Sequence, residues 1–350
     1  MAYTTIKKPT DYFNTVTFTG TGSSQQITTG LNMSANGGMV WNKLRDGANN
    51  NIVWDTIRTA TESIYPDLTA AEATEATSLT AFTTTGWTGG GGGNTSNNGS
   101  TYVSWNWLAG SSHSGSSNSD GDVNSTVSVN TTAGFSIVKF NTNGQSGTFT
   151  VGHGLGAVPK MMILKPLPTT DAWWTYHTEI GNAKYLKLNT TDAEASNSDI
   201  WGSTTPTSSV FSLNTGFWGA NTNDIIAYCF AEKTGYSKFG SYVANNSTDG
   251  NFVYLGFKPS FLMVKAYTGG SAGSRDWQLV DNKRLGYNVD NNCLFPNLAN
   301  AEDTGDVVDL LSNGFKIRTA TGTWNTSGES YIYIAFAEEP LVGDNPATAR

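Results

Sequence analysis

The chain reads as a mainly all-β protein, built from three divergent units that form β-sandwich or jelly-roll-like domains with short helical turns. Composition is the first reason. Only 14% of the 350 residues are Asp, Glu, Lys or Arg, against about 25% in an ordinary globular protein. Asn, Thr, Ser and Gly must therefore supply the polar surface, as they do where strands and tight turns dominate. Aromatics make up 12% and hydrophobic residues 37%, which is enough for a core and too much for a disordered chain. The second reason is a recurring strand, and the third is the order of motifs between its copies.

The recurring strand closes each unit. It reads Thr101-Tyr102-Val103-Ser104-Trp105-Asn106-Trp107, then Asp224-Ile225-Ile226-Ala227-Tyr228-Cys229-Phe230, then Ser330-Tyr331-Ile332-Tyr333-Ile334-Ala335-Phe336. Aromatic and β-branched residues dominate all three, as in strands. Trp105 and Trp107, Tyr228 and Phe230, and Ile334 and Phe336 stand two apart, which puts each pair on one face. Trp107, Phe230 and Phe336 are expected in the core.

The middles also correspond. Met39-Val40-Trp41-Asn42-Lys43 matches Met162-Ile163-Leu164-Lys165 and Leu262-Met263-Val264-Lys265. Each is an apolar run ending in Lys, which suggests a buried strand leaving into solvent. Pro159 and Pro259 suit the starts of the last two. Asp55, His177 and Asp281 fall at one equivalent position. Thr69-Ala70-Ala71-Glu72 has the form of a helix-capping box, in which hydroxyl and carboxylate satisfy free amides. Thr191-Asp192-Ala193-Glu194 repeats it, and Ala299-Asn300-Ala301-Glu302 lacks the hydroxyl. One or two helical turns are expected at each. Trp87, Phe211 and Phe315 then recur at one expected core position. Aromatic-rich strands open the units over residues 13–18, 135–140 and 236–242, followed by Gly30-Leu31, Gly154-Leu155 and Gly256-Phe257.

These matches divide the chain into an arm (1–11), a first unit (12–110), a linker (111–133), second and third units (134–233 and 234–340) and a tail (341–350). The linker is rich in Gly, Ser and Asn, a flexible composition. The second and third units join almost directly and are expected to pack as a rigid pair, with the first more independent. Strand pairing between units in one continuous sheet is the alternative.

Several function classes lose support. The net charge is −8 and the pI about 4.9, whereas nucleic acid and anionic membranes reward clustered Lys and Arg. Two cysteines, Cys229 and Cys293, make no disulfide framework. Free buried thiols are expected, and a bridge between the last two units is the alternative. The N-terminus carries no apolar signal segment, and no stretch approaches the ~20 apolar residues of a membrane helix.

Candidate chemistry is sparse. His113, His153 and His177 have no nucleophile beside them in sequence. Glu72, Glu194 and Glu302 are explained by capping without a glycosidase role. Asp120-Gly121-Asp122 and Asp249-Gly250-Asn251 read as turns, because a calcium loop needs six to eight oxygens. Gly89-Gly90-Gly91-Gly92-Gly93 lacks the ending of a phosphate loop and reads as a mobile hairpin tip. No metal, cofactor or catalytic residue is expected. Trp218 and Trp324 lie in turn-rich segments before the closing strands, where aromatics can stack on a glycan or anchor a partner; local packing or a subunit contact is the alternative. Lys7, Lys8 and Pro9 belong to an arm without a core of its own, a candidate attachment strap.

Met1-Ala2-Tyr3-Thr4-Thr5-Ile6, Thr69-Ala70-Ala71-Glu72-Ala73-Thr74 and Tyr102-Val103-Ser104-Trp105-Asn106-Trp107 carry a resemblance, as do Tyr228-Cys229-Phe230-Ala231-Glu232, Gly235-Tyr236-Ser237-Lys238-Phe239-Gly240-Ser241-Tyr242 and Asn313-Gly314-Phe315-Lys316. Together they resemble a family of β-rich proteins of unassigned function common in marine bacteriophage genomes. The likeness runs along essentially the whole chain, to Pro346-Ala347-Thr348-Ala349-Arg350. It implies a virion protein made in the infected bacterial cytoplasm, without enzymatic activity. A tail-fibre or receptor-binding adhesin is one form, contacting host-surface glycan, and a capsid decoration protein is another. A polysaccharide-degrading tailspike would be the enzymatic alternative. Other virion proteins are the implied partners, with neither nucleic acid nor membrane insertion, and a homo-oligomer, taken as a trimer, is expected.

Overall fold

The computed structural model describes residues 3–110, 112–219, 223–268, 275–284, 292–305, 307–320, 322–344 and 346–348. Met1, Ala2, Ser111, Asn345, Ala349 and Arg350, which the arm, linker and tail include, lie outside them. The fold is almost entirely antiparallel β. Three sheets contain four strands in the same order. In the first, Phe13–Thr19 pairs with Thr101–Leu108, then Gly38–Leu44, then Ile52–Asp55. In the second the order is Phe135–Asn141, Asp224–Phe230, Met161–Pro166, Trp174–His177. In the third it is Ser237–Val243, Ser330–Pro340, Phe257–Thr268, Gln278–Asp281. Registers correspond as well. Trp107 pairs with Met39 and Met39 with Asp55; Phe230 pairs with Met161 and Met161 with His177; Phe336 pairs with Phe261 and Phe261 with Asp281. Pro259 sits within its strand rather than at the start, and the register shifts around it, as a bulge requires of a residue with no amide hydrogen.

The middle and closing strands are buried on both faces, so they read as near-continuous apolar runs rather than as alternation. One face of each of these three sheets meets a smaller sheet. The partners are Gln25–Thr28, Gly86–Gly89 and Leu79–Thr83 in the first unit, and Thr148–Gly152 with Val210–Asn214 in the second. In the third they are Phe252–Tyr254, Gly314–Ile317 and Val308–Leu311. Trp87, Phe211 and Phe315 lie fully buried between the sheets, one in each unit.

The opposite faces of the three sheets meet one another. Trp107, Phe230 and Phe336 form a triangle of rings with centroids 6.3, 6.0 and 5.7 Å apart. Trp105, Tyr228 and Ile334 make the next level of the same core, and Val103, Ile226 and Ile332 the third. Met39, Met161 and Phe261 belong to the same cluster from the neighbouring strands. Each large aromatic removes ~150–250 Å² from water, so this axis is the largest shared apolar surface of the molecule.

Four expectations from the sequence are corrected. The first unit is not independent, because its residues enter the central cluster as fully as those of the others. The segment 111–133 is no linker: Ser116–Asn118 and Ser125–Asn130 extend the second sheet through pairing with Phe135–Asn141. The segments around Glu72, Glu194 and Glu302 are not helical. The four-residue helices are Met33–Asn36 and Thr215–Trp218, capped by the Asn32 and Asn214 side chains. Finally, Lys43, Lys165 and Lys265 do not leave into solvent and are 0% exposed. Period two puts them on the face of Trp41, Ile163 and Met263, toward the axis.

Because the core is shared, Phe230→Ala should cost about 3–5 kcal/mol and destabilise all three units together. Urea unfolding followed by near-UV circular dichroism should show one transition at lower denaturant. A separate loss of about one third of the signal would contradict the shared core.

Candidate functional site

The seams between units repeat in one rotational sense. Lys165 Nζ of the second unit donates to the Thr69 carbonyl of the first, at 3.0 Å. Lys265 Nζ of the third donates to Thr191 of the second, at 2.7 Å. Lys43 Nζ of the first donates to Ala299 of the third, at 3.1 Å. The backbone amides of Glu72, Glu194 and Glu302 bond to the Leu167, Tyr267 and Arg45 carbonyls across the same three seams. That use of the amides explains why no capping turn forms: the partners of these groups lie on the neighbouring unit. Trp173 Nε1 to the Tyr65 carbonyl, Trp277 Nε1 to Lys187 and Asn51 Nδ2 to Phe295 complete the set. Burial pushes all three lysine pKa values down to about 8.

Two seams also hold buried ion clusters. Asp55 accepts from Arg58 Nε at 2.5 Å, and Glu72 from Arg58 Nη1 at 3.0 Å. Asp281 accepts from Arg284 Nε at 2.7 Å, and Glu302 from Arg284 Nη1 at 3.2 Å. The adjoining unit caps each cluster. Tyr228 donates its hydroxyl to Asp55 at 2.7 Å, and Trp105 Nε1 donates to Asp281 at 3.0 Å. Burial holds the Tyr228 hydroxyl well above its usual pKa, so it remains a donor. The glutamates are therefore ends of buried ionic clusters and not helix caps.

The remaining seam keeps the lysine and amide bonds but differs at the ion-cluster positions. His177 replaces the aspartate, Ile180 the arginine and Ile334 the capping aromatic. Glu194 pairs instead with Lys184. His177 is 0% exposed, its Nδ1 accepts from the Glu179 amide, and burial lowers its pKa to about 3. An apolar neighbour and an uncharged imidazole are mutually consistent, because removing the cation and the donor would leave an aspartate there unpaired.

The residues singled out from sequence are scattered. Trp218 and Trp324 are buried, at 6% and 2% exposure, in the outer cores of the second and third units. Trp218 Nε1 donates to the Ile200 carbonyl at 2.7 Å. Neither ring offers a free face to a glycan, and local packing is what the geometry contains. Turn-rich sequence suggested exposure, but each turn folds back over the gap between its two sheets. The arm is anchored: Ile6 enters the central cluster, Pro9 is buried, and the Tyr3 hydroxyl donates to the Gly256 carbonyl. Lys7 and Lys8 are exposed, with Lys8 paired to Asp11 at 2.8 Å. His113 bonds the Met33 carbonyl and His153 the Thr207 carbonyl. Cys229 and Cys293 are buried free thiols in different cores. Asp122 accepts from Thr150, and Asp249 pairs with Lys316. Among the described residues no three His, Cys, Asp or Glu side chains gather as a metal site would need.

The exposed aromatics are ones the sequence did not flag. Phe252 and Tyr254 are 47% and 50% exposed on an edge strand, with Tyr3 at 37% and Lys238 Nζ 5.5 Å from the Tyr254 ring. Their period-two spacing was the available signal.

Two outcomes test the seams. Burial holds the Lys165 pKa at about 8 in the folded protein against an ordinary lysine value of 10.5, so the unfolded chain binds more protons between those values. Its burial penalty is present below pH 8 and fades toward pH 10.5. The stability of Lys165→Met minus that of the parent should therefore shrink across this window, by at most about 1.4 kcal/mol per pH unit; chemical denaturation at several pH values measures it. In the odd seam, His177→Asp alone should cost about 3 kcal/mol as an unpaired buried charge. Adding Ile180→Arg should recover much of that, seen as a return of the urea midpoint.

No curated protein and no solved structure matches the chain. Residues 8–340 match the model of a domain of unknown function, DUF7483, and that span takes in the three sheets, their seams and the shared axis. The chain belongs to the DUF7483 family.

Proposed function

We propose that the protein is a structural component of a bacteriophage particle, of the tail-fibre or receptor-binding adhesin type. The observation that carries this reading is the closing of three sheets around one aromatic axis, which makes a threefold block out of a single chain. Phage fibres and shells are rich in threefold positions, and a block of this kind matches them in one copy. The trimer expected from sequence is, in this reading, supplied within the chain. The resemblance of the strand and turn motifs to marine phage proteins points the same way, as does a polar surface poor in charge. The protein would be made in the cytoplasm of the infected cell and assembled against other virion proteins. It would use no cofactor, and its net charge of −8 disfavours nucleic acid as a partner.

A capsid decoration protein is the second reading, favoured by the gathering of all three units about one axis rather than along a stalk. A polysaccharide-degrading tailspike has the least support, since the buried carboxylates face arginines or lysines in the seams.

Immunogold labelling and mass spectrometry of purified particles test the proposal. The protein should be present in virions, with label on the tail for the adhesin and on the head for the decoration protein. Its absence from purified virions would sink both.

A further inference from the structure

Aromatic side chains are buried or half-buried throughout the described chain, with one group of exceptions. Among the described residues, Tyr3, Phe252 and Tyr254 are the only exposed aromatics, and they gather at one place. Phe252 and Tyr254 stand on the edge strand of the third unit's small sheet. Val253 between them packs against the core beneath that sheet. Period two therefore turns the two rings outward together, about 7 Å apart along the strand. Tyr3 of the arm adjoins them: its hydroxyl and that of Tyr254 both lie over Gly256. Tyr254 is held from the neighbouring sheet as well. Lys238 Nζ donates to its carbonyl at 3.0 Å and stands 5.5 Å from its ring. A ring positioned in this way loses little freedom when something binds it.

The fold does not require these rings. In each unit an apolar residue of this strand pairs with the repeated core aromatic: Ile27 with Trp87, Val151 with Phe211 and Val253 with Phe315. The flanking positions lie on the opposite face, and they correspond in register: Gln26 and Thr28, Thr150 and Gly152, Phe252 and Tyr254. Two units thus close the same kind of core with small or polar residues where the third has aromatics. Exposed rings at these positions add surface that water opposes, and a cluster of them marks a place that something covers.

Size and charge select the occupant. A fully buried aromatic covers ~150–250 Å², so three rings about half exposed offer roughly 300 Å². A protein interface takes about 800 Å² from each partner, which this patch does not supply. The charges beside the rings are balanced. Lys316, cross-strand from Phe252, pairs with Asp249, and Arg318 pairs with Asp309. Lys238 is turned to the Tyr254 ring and carbonyl. No cluster of unpaired cations is left there to select an anionic ligand or an anionic membrane surface. A neutral ligand with an apolar face and polar edges remains. A pyranose ring has that shape: its C–H groups carry partial positive charge and meet the negative face of an aromatic ring. Its hydroxyls can bond Lys238, whose ammonium has three donors and uses one on Tyr254. Two rings side by side along a strand suit two linked sugars better than one.

We propose that Phe252 and Tyr254 form a platform on which two linked sugars of a neutral glycan chain stack, with Lys238 donating to a sugar hydroxyl. The proposal deepens the adhesin reading and rests on it for the source of the glycan, the host surface. Saturation-transfer NMR on the full chain with cellohexaose, laminarihexaose, mannohexaose and chitohexaose tests it. At least one of the four should show transfer. Phe252→Gln combined with Tyr254→Thr installs the first unit's own residues, outside every core. That double variant should leave the urea midpoint nearly unchanged while weakening binding at least tenfold. No transfer from any of the four, or transfer undiminished in the double variant, overturns the proposal. So does a dimer seen by analytical ultracentrifugation that the double variant dissolves, because a second copy would then cover the rings. Glycan binding by a protein missing from virions would sink the adhesin reading alone; a virion protein that binds none of the four would sink this proposal alone.

Discussion

Each of the three sheets that share the same four-strand order has two apolar faces, and that constraint organises the rest. A small sheet covers one face. The other carries Trp105 and Trp107, Tyr228 and Phe230, or Ile334 and Phe336, and the other two units cover it. Aromatic surface of this size would be a severe liability in water. Three such faces close on one another without leaving an edge for a fourth. The arm follows from the same constraint: Ile6 joins the cluster, and the Tyr3 hydroxyl ties the arm to Gly256 of the third unit.

The seams must then manage polar groups brought to the edges of that apolar axis. Buried lysines do so in one rotational sense around the ring, and the backbone amides of Glu72, Glu194 and Glu302 donate back across the same seams in the opposite sense. Such bonds add direction to a contact that apolar packing alone would leave able to slide. The buried ion clusters add less to net stability than their distances suggest, because desolvation opposes the Coulombic gain. Their consequence is specificity of partner: an aspartate in one unit requires an arginine in the same unit and a donor in the next. The seam with His177, Ile180 and Ile334 has changed all three together.

The all-β class was legible in composition and in the β-branched, aromatic runs, and period two placed Trp107, Phe230 and Phe336 on a buried face. The seams were not legible. An apolar run ending in Lys looks the same whether the Lys reaches solvent or a neighbour's carbonyl, and only the packing of the second face decides. The Thr-x-x-Glu pattern misled for a related reason, because local hydrogen-bonding potential was outcompeted by partners across the seam. Trp218 and Trp324 looked exposed because turns usually are, yet both segments lie over the gap between two sheets. The glycine run was visible as a break in the pattern, but its role depends on the close approach of Gly90 and Gly92 to the Thr77 carbonyl, which sequence does not carry.

Native-state hydrogen exchange of the three closing strands tests the shared axis most directly. If the three sheets stand or fall together, the slowest amides of residues 101–108, 224–230 and 330–340 should exchange only through global unfolding, with one common free energy and one common denaturant dependence. A closing strand that opens at a distinctly lower free energy, while the other two remain protected, would contradict the account.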